Sequence, residues 1–253
     1  MEYAIGIDLH GTLLGDDERI EERLKEPLIR ALKGLSDGFS IYLATGNDLS
    51  FVIDRVPHDV SACFQGFVLE TGAVLSDGQD EMVLVEERVA KRSRELDALL
   101  RQRCAWAARF DRRLTASAIF TKEGDSPRER AVEVEAIVSA LGYDDDFYTT
   151  YSSVAVDVVP QGVTKMTGLA QVAGNARTIG IADSMNDIHL HLGSDISFTP
   201  ANMPAEVRES ILASGRKIAP LEEELIWGAT YASRYRFTEG VIDILARLPS
   251  LGP

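Results

Sequence analysis

Cysteine is scarce: the 253 residues include two, Cys63 and Cys104. Two cysteines build no disulfide framework, and their separation matches no metal-ligand spacing. No apolar run approaches the roughly 20 residues that cross a bilayer. No segment patterned as a signal peptide precedes the first strand-like run, so a soluble, cytoplasmic chain is expected. Internal repeats and low-complexity segments are lacking as well. Positive charge is in deficit, with 26 Lys and Arg against 40 Asp and Glu, a net charge of −14. Such a field repels nucleic acid and anionic membrane, and no basic stripe interrupts it. An anionic substrate must therefore be drawn in by a local cation or a metal. Core material is in ordinary supply: 45% of residues are apolar and 26% charged, enough for one large domain or two small ones.

The apolar pattern alternates between strands and helices. Tyr3, Ala4, Ile5 and Ile7 read as a short buried strand ending at Asp8. A helix follows over about residues 20–35, with Ile20, Leu24, Leu28, Ala31, Leu32 and Leu35 on one face,. Residues 39–44 form a second buried strand, then a short helix runs to about Val56. Residues 65–75 suggest a strand pair around Glu70-Thr71-Gly72-Ala73, with Asp77-Gly78 as a turn,. Near Val85 the texture changes to a strongly charged helix (86–103), a strand (114–120), a helix opened by Ser126-Pro127 and running to Leu141, and two strands within 147–159,. The βα alternation then resumes: a helix to Ala173, a strand at 177–182, a helix from Met185, a strand at 196–198, and helices at 204–212 and 238–248. Two βα halves interrupted by an insert predict an α/β parallel-sheet core with a smaller α+β domain inserted. Its expected boundaries are 1–84 and 159–253 for the core and 85–158 for the insert.

Four polar groups fall at the ends of predicted strands or the starts of helices, where open α/β sheets bind ligands. They are Asp8 in Asp8-Leu9-His10-Gly11-Thr12, Thr45 in Thr45-Gly46-Asn47, Lys165 in Gly162-Val163-Thr164-Lys165, and the acids of Asp183-Ser184-Met185-Asn186-Asp187. Each alone has a local explanation: a turn-capping Asp, a helix-capping Thr, a solvated Lys, a pair of capping acids. Together they place carboxylates, a hydroxyl and an ammonium on one sheet edge, a set that suits phosphoryl transfer. Magnesium takes oxygen ligands, one or two carboxylates with water and phosphate oxygens. Asp8 and Asp183 offer those carboxylates, and Asp187 lies one helical turn beyond. Thr45 and Lys165 are then placed to hold phosphate oxygens, leaving Asp8 as a nucleophile that forms an aspartyl-phosphate.

On these four motifs the chain resembles the haloacid dehalogenase-like (HAD) phosphatase superfamily, and in particular its Cof-type branch, which includes phosphoglycolate and sucrose-phosphate phosphatases. Glu70-Thr71-Gly72-Ala73, Pro200-Ala201-Asn202 and Thr238-Glu239-Gly240-Val241 extend the likeness. The resemblance implies a Rossmann-like core with a cap, a Mg2+ cofactor and a small phosphorylated metabolite, phosphoglycolate or a sugar phosphate, as partner. It implies Asp8 as nucleophile and Thr45, Gly46, Asn47, Lys165 and Asn186 as the phosphate-binding set. The metal set is Asp8, Asp183 and Asp187, with residue 10 contributing its backbone carbonyl.

One position departs from the family pattern. The family's first motif is Asp-x-Asp-Gly-Thr, and here the second Asp, which moves the proton, is His10. An imidazole can do that work, being the commonest general acid/base. The other readings are a phosphatase slowed by about 10²–10⁴, a phosphotransferase that avoids water, or a regulatory phosphate-binding protein. Specificity is expected to come from the insert, where Arg112, Arg113, Lys122 and Arg128 are candidate anion partners or ordinary solvated charges. Oligomeric state is not encoded legibly.

Overall fold

A computed structural model describes residues 2–35 and 38–251, with Arg112 described by its backbone alone. In chain order the larger unit opens with β1 (Tyr3–Asp8), α1 (Glu22–Lys33), β2 (Phe39–Ala44), α2 (Leu49–Arg55), α3 (His58–Ser61), β3 (Gly66–Leu69), β4 (Val74–Ser76) and β5 (Glu81–Val83). The insert holds α4 (Glu87–Arg103), β6 (Arg109–Arg112), β7 (Ser117–Phe120), α5 (Pro127–Ala140), β8 (Phe147–Tyr151) and β9 (Ala155–Pro160). The larger unit then completes itself with α6 (Lys165–Ala173), β10 (Arg177–Ile181), α7 (Ile188–Gly193), β11 (Ile196–Thr199), α8 (Ala205–Ala213), β12 (Ile218–Pro220), β13 (Thr230–Ala232) and α9 (Phe237–Arg247). The chain divides into two compact units, residues 1–82 with 164–253, and residues 83–163.

In the larger unit the described strands form one nine-stranded sheet ordered β12-β13-β11-β10-β1-β2-β3-β4-β5. Strand β1 lies at its centre, paired in parallel with β2 on one side and β10 on the other. All six of its residues are buried. A strand covered on both faces needs a continuous apolar run rather than alternation, and Tyr3-Ala4-Ile5-Gly6-Ile7 supplies it. The central strands run in the same direction, so their carboxyl ends, including Asp8, Ala44 and Ile181, lie along one edge. Helix α1 buries Leu24, Leu28, Ile29 and Leu32 as a stripe at helical spacing,.

The smaller unit is a four-stranded antiparallel sheet, β6-β7-β9-β8. Its core joins Leu96 and Leu100 of α4, Val134 and Val138 of α5, and Ile119, Phe147, Val156 and Val158 from the strands. Ser126 caps α5 by accepting from the Glu129 amide at 3.3 Å, with Pro127 in the first turn,.

The structure is an α/β fold with an inserted α+β unit, as the pattern of alternation predicts. Four short strands escape that pattern. Strand β5 is exposed at all three residues, and β12 and β13 have three residues each. In β6 the sequence Arg-Phe-Asp-Arg offers one apolar side chain. The strand expected at 114–120 is confined to Ser117–Phe120, although Thr115 and Ala116 before it are buried. The helix expected from Met185 begins as a 3-10 turn over Met185–Asp187 before α7.

Candidate active site

Asp8 closes β1 and is buried against the start of α6. Its Oδ1 accepts from Lys165 Nζ at 2.6 Å, and Nζ also stands 2.5 Å from Asp187 Oδ1. Asp8 Oδ2 is buried and has no hydrogen-bond partner among the described residues. Asp183 follows β10, and Asp187 follows it by one turn. Ligand oxygens of Asp8, Asp183 and Asp187 all lie within 4.8 Å of one another.

Loop chemistry fixes each of these groups. Gly11 turns the chain at φ +76°, and a Cβ there would lie 2.5 Å from Asp183 Oδ2, so only glycine lets the first loop approach that carboxylate,. Thr12 donates to Asp183 Oδ1 at 3.0 Å. Asn202 donates to the other oxygen of Asp183 at 3.1 Å and to the Gly11 carbonyl at 2.7 Å, and accepts from the Phe237 amide at 3.0 Å. Ser184 Oγ sits 2.8 Å from Asp187 Oδ2 and 2.5 Å from Asn186 Oδ1. Lys165 is aimed by the amino end of α6, where Thr164 and Thr167 form a reciprocal cap,. The turn at Glu70, Thr71 and Gly72 packs on that end. Gly72 has φ +106°, and a Cβ on it would meet the Thr164 carbonyl oxygen at 2.1 Å.

Burial dominates the electrostatics. Desolvation first, then the neighbouring Asp187 charge, push Asp8 up to about 7, although Lys165 pulls the other way,. Burial, then Asp8 and Asp187, push Asp183 up to about 8. Burial works against the Lys165 ammonium too, but the Asp187 and Asp8 carboxylates outweigh it and hold the amine protonated well above its ordinary range. Three carboxylates thus share one cation. A divalent ion fits this donor set: hard oxygen ligands, a buried oxygen on Asp8 without a partner, and charge in need of compensation,. Asp8, Asp183 and Asp187 are the side chains that would hold it.

At the end of β2, Thr45 Oγ1 accepts from both the backbone and the side-chain amide of Asn47, at 3.2 and 3.1 Å. Asn47 Nδ2 also lies 3.0 Å from His10 Nδ1. Gly46 sits between them in the same turn. The side chain of Asn186 is turned to Ser184, on the Asp187 side of the cluster. His191 is fully buried in α7. Burial lowers it to about 4, with the Asp187 charge opposing. Thr12 and Asn202 were legible only as members of motifs, because their task is to hold a carboxylate across a sequence gap of 171 residues in the case of Thr12.

The sequence model for the haloacid dehalogenase-like hydrolase matches residues 5–102. No curated protein matches the chain in sequence. Among solved structures, the sucrose-phosphatase of Synechocystis sp. PCC6803, in complex with sucrose and phosphate, aligns over 97% of this chain and 96% of its own at 14% identity and a TM-score of 0.71. A haloacid dehalogenase-like hydrolase from B. subtilis aligns over 98% and 100% at 14% identity and TM-score 0.67. The trehalose-6-phosphate phosphatase C-terminal domain of C. albicans aligns over 100% and 94% at 12% identity and TM-score 0.63. The chain carries the haloacid dehalogenase-like fold, and its resemblance to that family rests on sequence over residues 5–102 and on structure over nearly its whole length.

Proposed function

We propose that the chain is a magnesium-dependent phosphomonoester hydrolase that acts on a small phosphorylated metabolite through Asp8. The observation that carries this reading is the Asp8 carboxylate: one oxygen is fixed by Lys165 and the other is left without a partner beside Asp183 and Asp187. The family match over residues 5–102, whose model is described as a hydrolase, supports it. Sugar-phosphate phosphatases among the structural neighbours favour a sugar phosphate or a similarly small ester such as phosphoglycolate.

Magnesium bound by Asp8, Asp183 and Asp187 would neutralise phosphate charge and hold the ester in line. The residues do the rest. The Lys165 ammonium, fixed between Asp8 and Asp187, meets phosphate oxygens as a point charge. The Thr45 hydroxyl and the amides of Gly46 and Asn47 bind at the end of β2. One oxygen of the Asp8 carboxylate attacks phosphorus, and the ester P–O bond breaks with its electron pair leaving on the alkoxide. Protonated His10 gives that alkoxide its proton. The neutral ring then takes a proton from water as the water oxygen attacks phosphorus. The acyl-phosphate P–O bond breaks, returning the Asp8 carboxylate and inorganic phosphate. The Ser184 hydroxyl, within hydrogen-bond reach of Asp187 Oδ2, would keep that carboxylate oriented, and Asn186 lies beside it in the same turn.

A slower chemistry is the competing reading, favoured by a single feature: His10 stands where the family has an acid/base Asp. Phosphate release from a panel of phosphorylated metabolites with magnesium tests the function. Release by the wild-type chain and its loss in Asp8→Asn are expected; equal release by both would reject it.

A further inference from the structure

The smaller unit holds a cavity of about 460 Å³ lined by three arginines, Arg94, Arg101 and Arg113. One acid, Asp97, and the small side chains of Ala98 and Ala116 also line it. Helix α4 supplies Arg94, Asp97, Ala98 and Arg101, and the connection between β6 and β7 supplies Arg113 and Ala116. The whole lining therefore falls within residues 83–163. Helix α4 packs on the sheet face that carries Ile119, Val156 and Val158. Ser117, two residues before Ile119 and so on the same face, reaches Asp97 from the sheet. The cavity lies on the helix-covered side of this sheet.

The arginines of α4 fall into two groups. Arg88 and Arg92 are paired with Asp146, at 2.9 and 2.5 Å. Arg94 forms no ion pair or hydrogen bond among the described residues. Arg101 is fixed at one corner only: its Nε donates to Asp97 Oδ2 at 2.7 Å, and its guanidinium carbon lies 4.8 Å from the centre of the Phe110 ring. Its two terminal nitrogens make no hydrogen bond among the described residues. Asp97 is held in turn, because its other oxygen accepts from Ser117 Oγ at 3.0 Å. A carboxylate and an aromatic ring thus set one guanidinium in a single orientation, with the donor pair that binds an oxyanion bidentately left over. Three guanidiniums around one carboxylate make the lining positive in a chain of net charge −14. A concave wall focuses that field, and like charges gathered on one space repel until an anion enters it.

We propose that this cavity binds a small metabolite carrying two or more oxyanion groups, phosphate or carboxylate. The terminal nitrogens of Arg101 take one group, and Arg94 and Arg113 supply the charge for another. The volume lies within the roughly 300–1,000 Å³ of small-molecule sites and would hold roughly fifteen waters at about 30 Å³ each,. A lone phosphate ion, with five heavy atoms, would leave most of it empty. The site shares no residue with the Asp8, Asp183, Asp187 and Lys165 cluster or with the Thr45 turn, and it stands whether or not the chain is a phosphatase.

The test titrates the full chain, in chelator, with inorganic pyrophosphate and separately with citrate, so that the two arms distinguish phosphate from carboxylate. Backbone ¹⁵N spectra locate the anion and calorimetry gives its Kd. The expected result with at least one of the two is a set of saturating shifts at residues 93–101 and 113–116. Arg94→Gln and Arg101→Gln then each weaken Kd about tenfold or more. Ala98→Leu, which fills the space and leaves every charge in place, weakens it as well. Lys91→Gln removes the same charge from the same helix outside the cavity, and changes Kd by no more than about twofold. Arg94, Ala98 and Lys91 are exposed, so these variants keep the fold. Absence of shifts at those residues with both anions, up to about 10 mM, overturns the proposal. So do shifts confined to residues 45–47 and 165, and so does a loss in Lys91→Gln equal to that in Arg94→Gln, which would mean diffuse charge and no built site.

Discussion

Lys165 Nζ lies 2.6 Å from Asp8 Oδ1, joining residues 157 positions apart in the chain. Both are buried, and Asp187 shares the same ammonium. A buried pair contributes little beyond its own desolvation cost, but breaking one leaves a charge with no partner in a low-dielectric site.

Lys165→Met therefore lowers unfolding stability by about 3–5 kcal/mol, measured by urea denaturation without metal. Magnesium chloride recovers part of the loss, because it supplies the missing positive charge to Asp8 and Asp187. A variant as stable as wild type without metal would contradict the charge balance drawn here.

Stability should fall with pH in a defined window. Burial, with the neighbouring carboxylates, raises Asp8 to about 7 and Asp183 to about 8 in the folded chain, against 3.8 ordinarily. Between those values the folded chain holds protons that the unfolded chain has released, so unfolding becomes easier as pH rises. His191 acts oppositely, being lowered by burial from 6.5 to about 4, and adds stability as pH rises through that range. Above pH 6.5 its contribution is flat, which leaves the acids alone. Thermal melts in chelator should show Tm dropping from pH 6.5 to about 8, and magnesium should reverse the drop by competing with those protons. A smaller drop is expected in Asp8→Asn.

Gly72 and Gly162 separate backbone strain from contact. Both have positive φ, +106° and +75°, but a Cβ on Gly72 meets the Thr164 carbonyl at 2.1 Å while one on Gly162 meets nothing within 4 Å. Gly162→Ala costs about 1 kcal/mol and leaves kcat unchanged. Gly72→Ala costs more than that, and because it pushes on the cap of the helix that carries Lys165, kcat falls with it. Denaturation and steady-state rates of the two variants check this.

Leaving-group chemistry tests His10. Nitrophenyl phosphate needs no proton on its departing oxygen, whereas an alkyl phosphate does. If the imidazole serves as well as the family's Asp, the two esters turn over within about tenfold of each other and His10→Asp changes little. If it is the weaker acid, His10→Asp raises alkyl phosphate turnover by up to about 10²-fold and leaves nitrophenyl phosphate nearly unaffected.

Much of this arrangement is legible in the sequence because it depends on strand ends. An apolar run that stops at an acid, as at Asp8 and Asp183, announces both a buried strand and the group at its carboxyl end. The periodicity of Leu24, Leu28 and Leu32 likewise marks α1 directly. Other features are carried by tertiary placement. Strand β6 pairs through its backbone while its side chains read as loop, and β12 and β13 are too short to show a period. His191 is a further case: its burial comes from the packing of α7, and no neighbouring residue type reveals it.

The central claim is that the Asp8 carboxylate forms the bond to phosphorus, and a quenched turnover mixture tests it most directly. Wild-type chain mixed with magnesium and a cleavable phosphomonoester, stopped in acid during turnover and digested, should yield a phosphoryl adduct on the peptide carrying Asp8, and Asp8→Asn should yield neither adduct nor phosphate. Phosphate release with that peptide unmodified throughout, or release that survives Asp8→Asn, would contradict it.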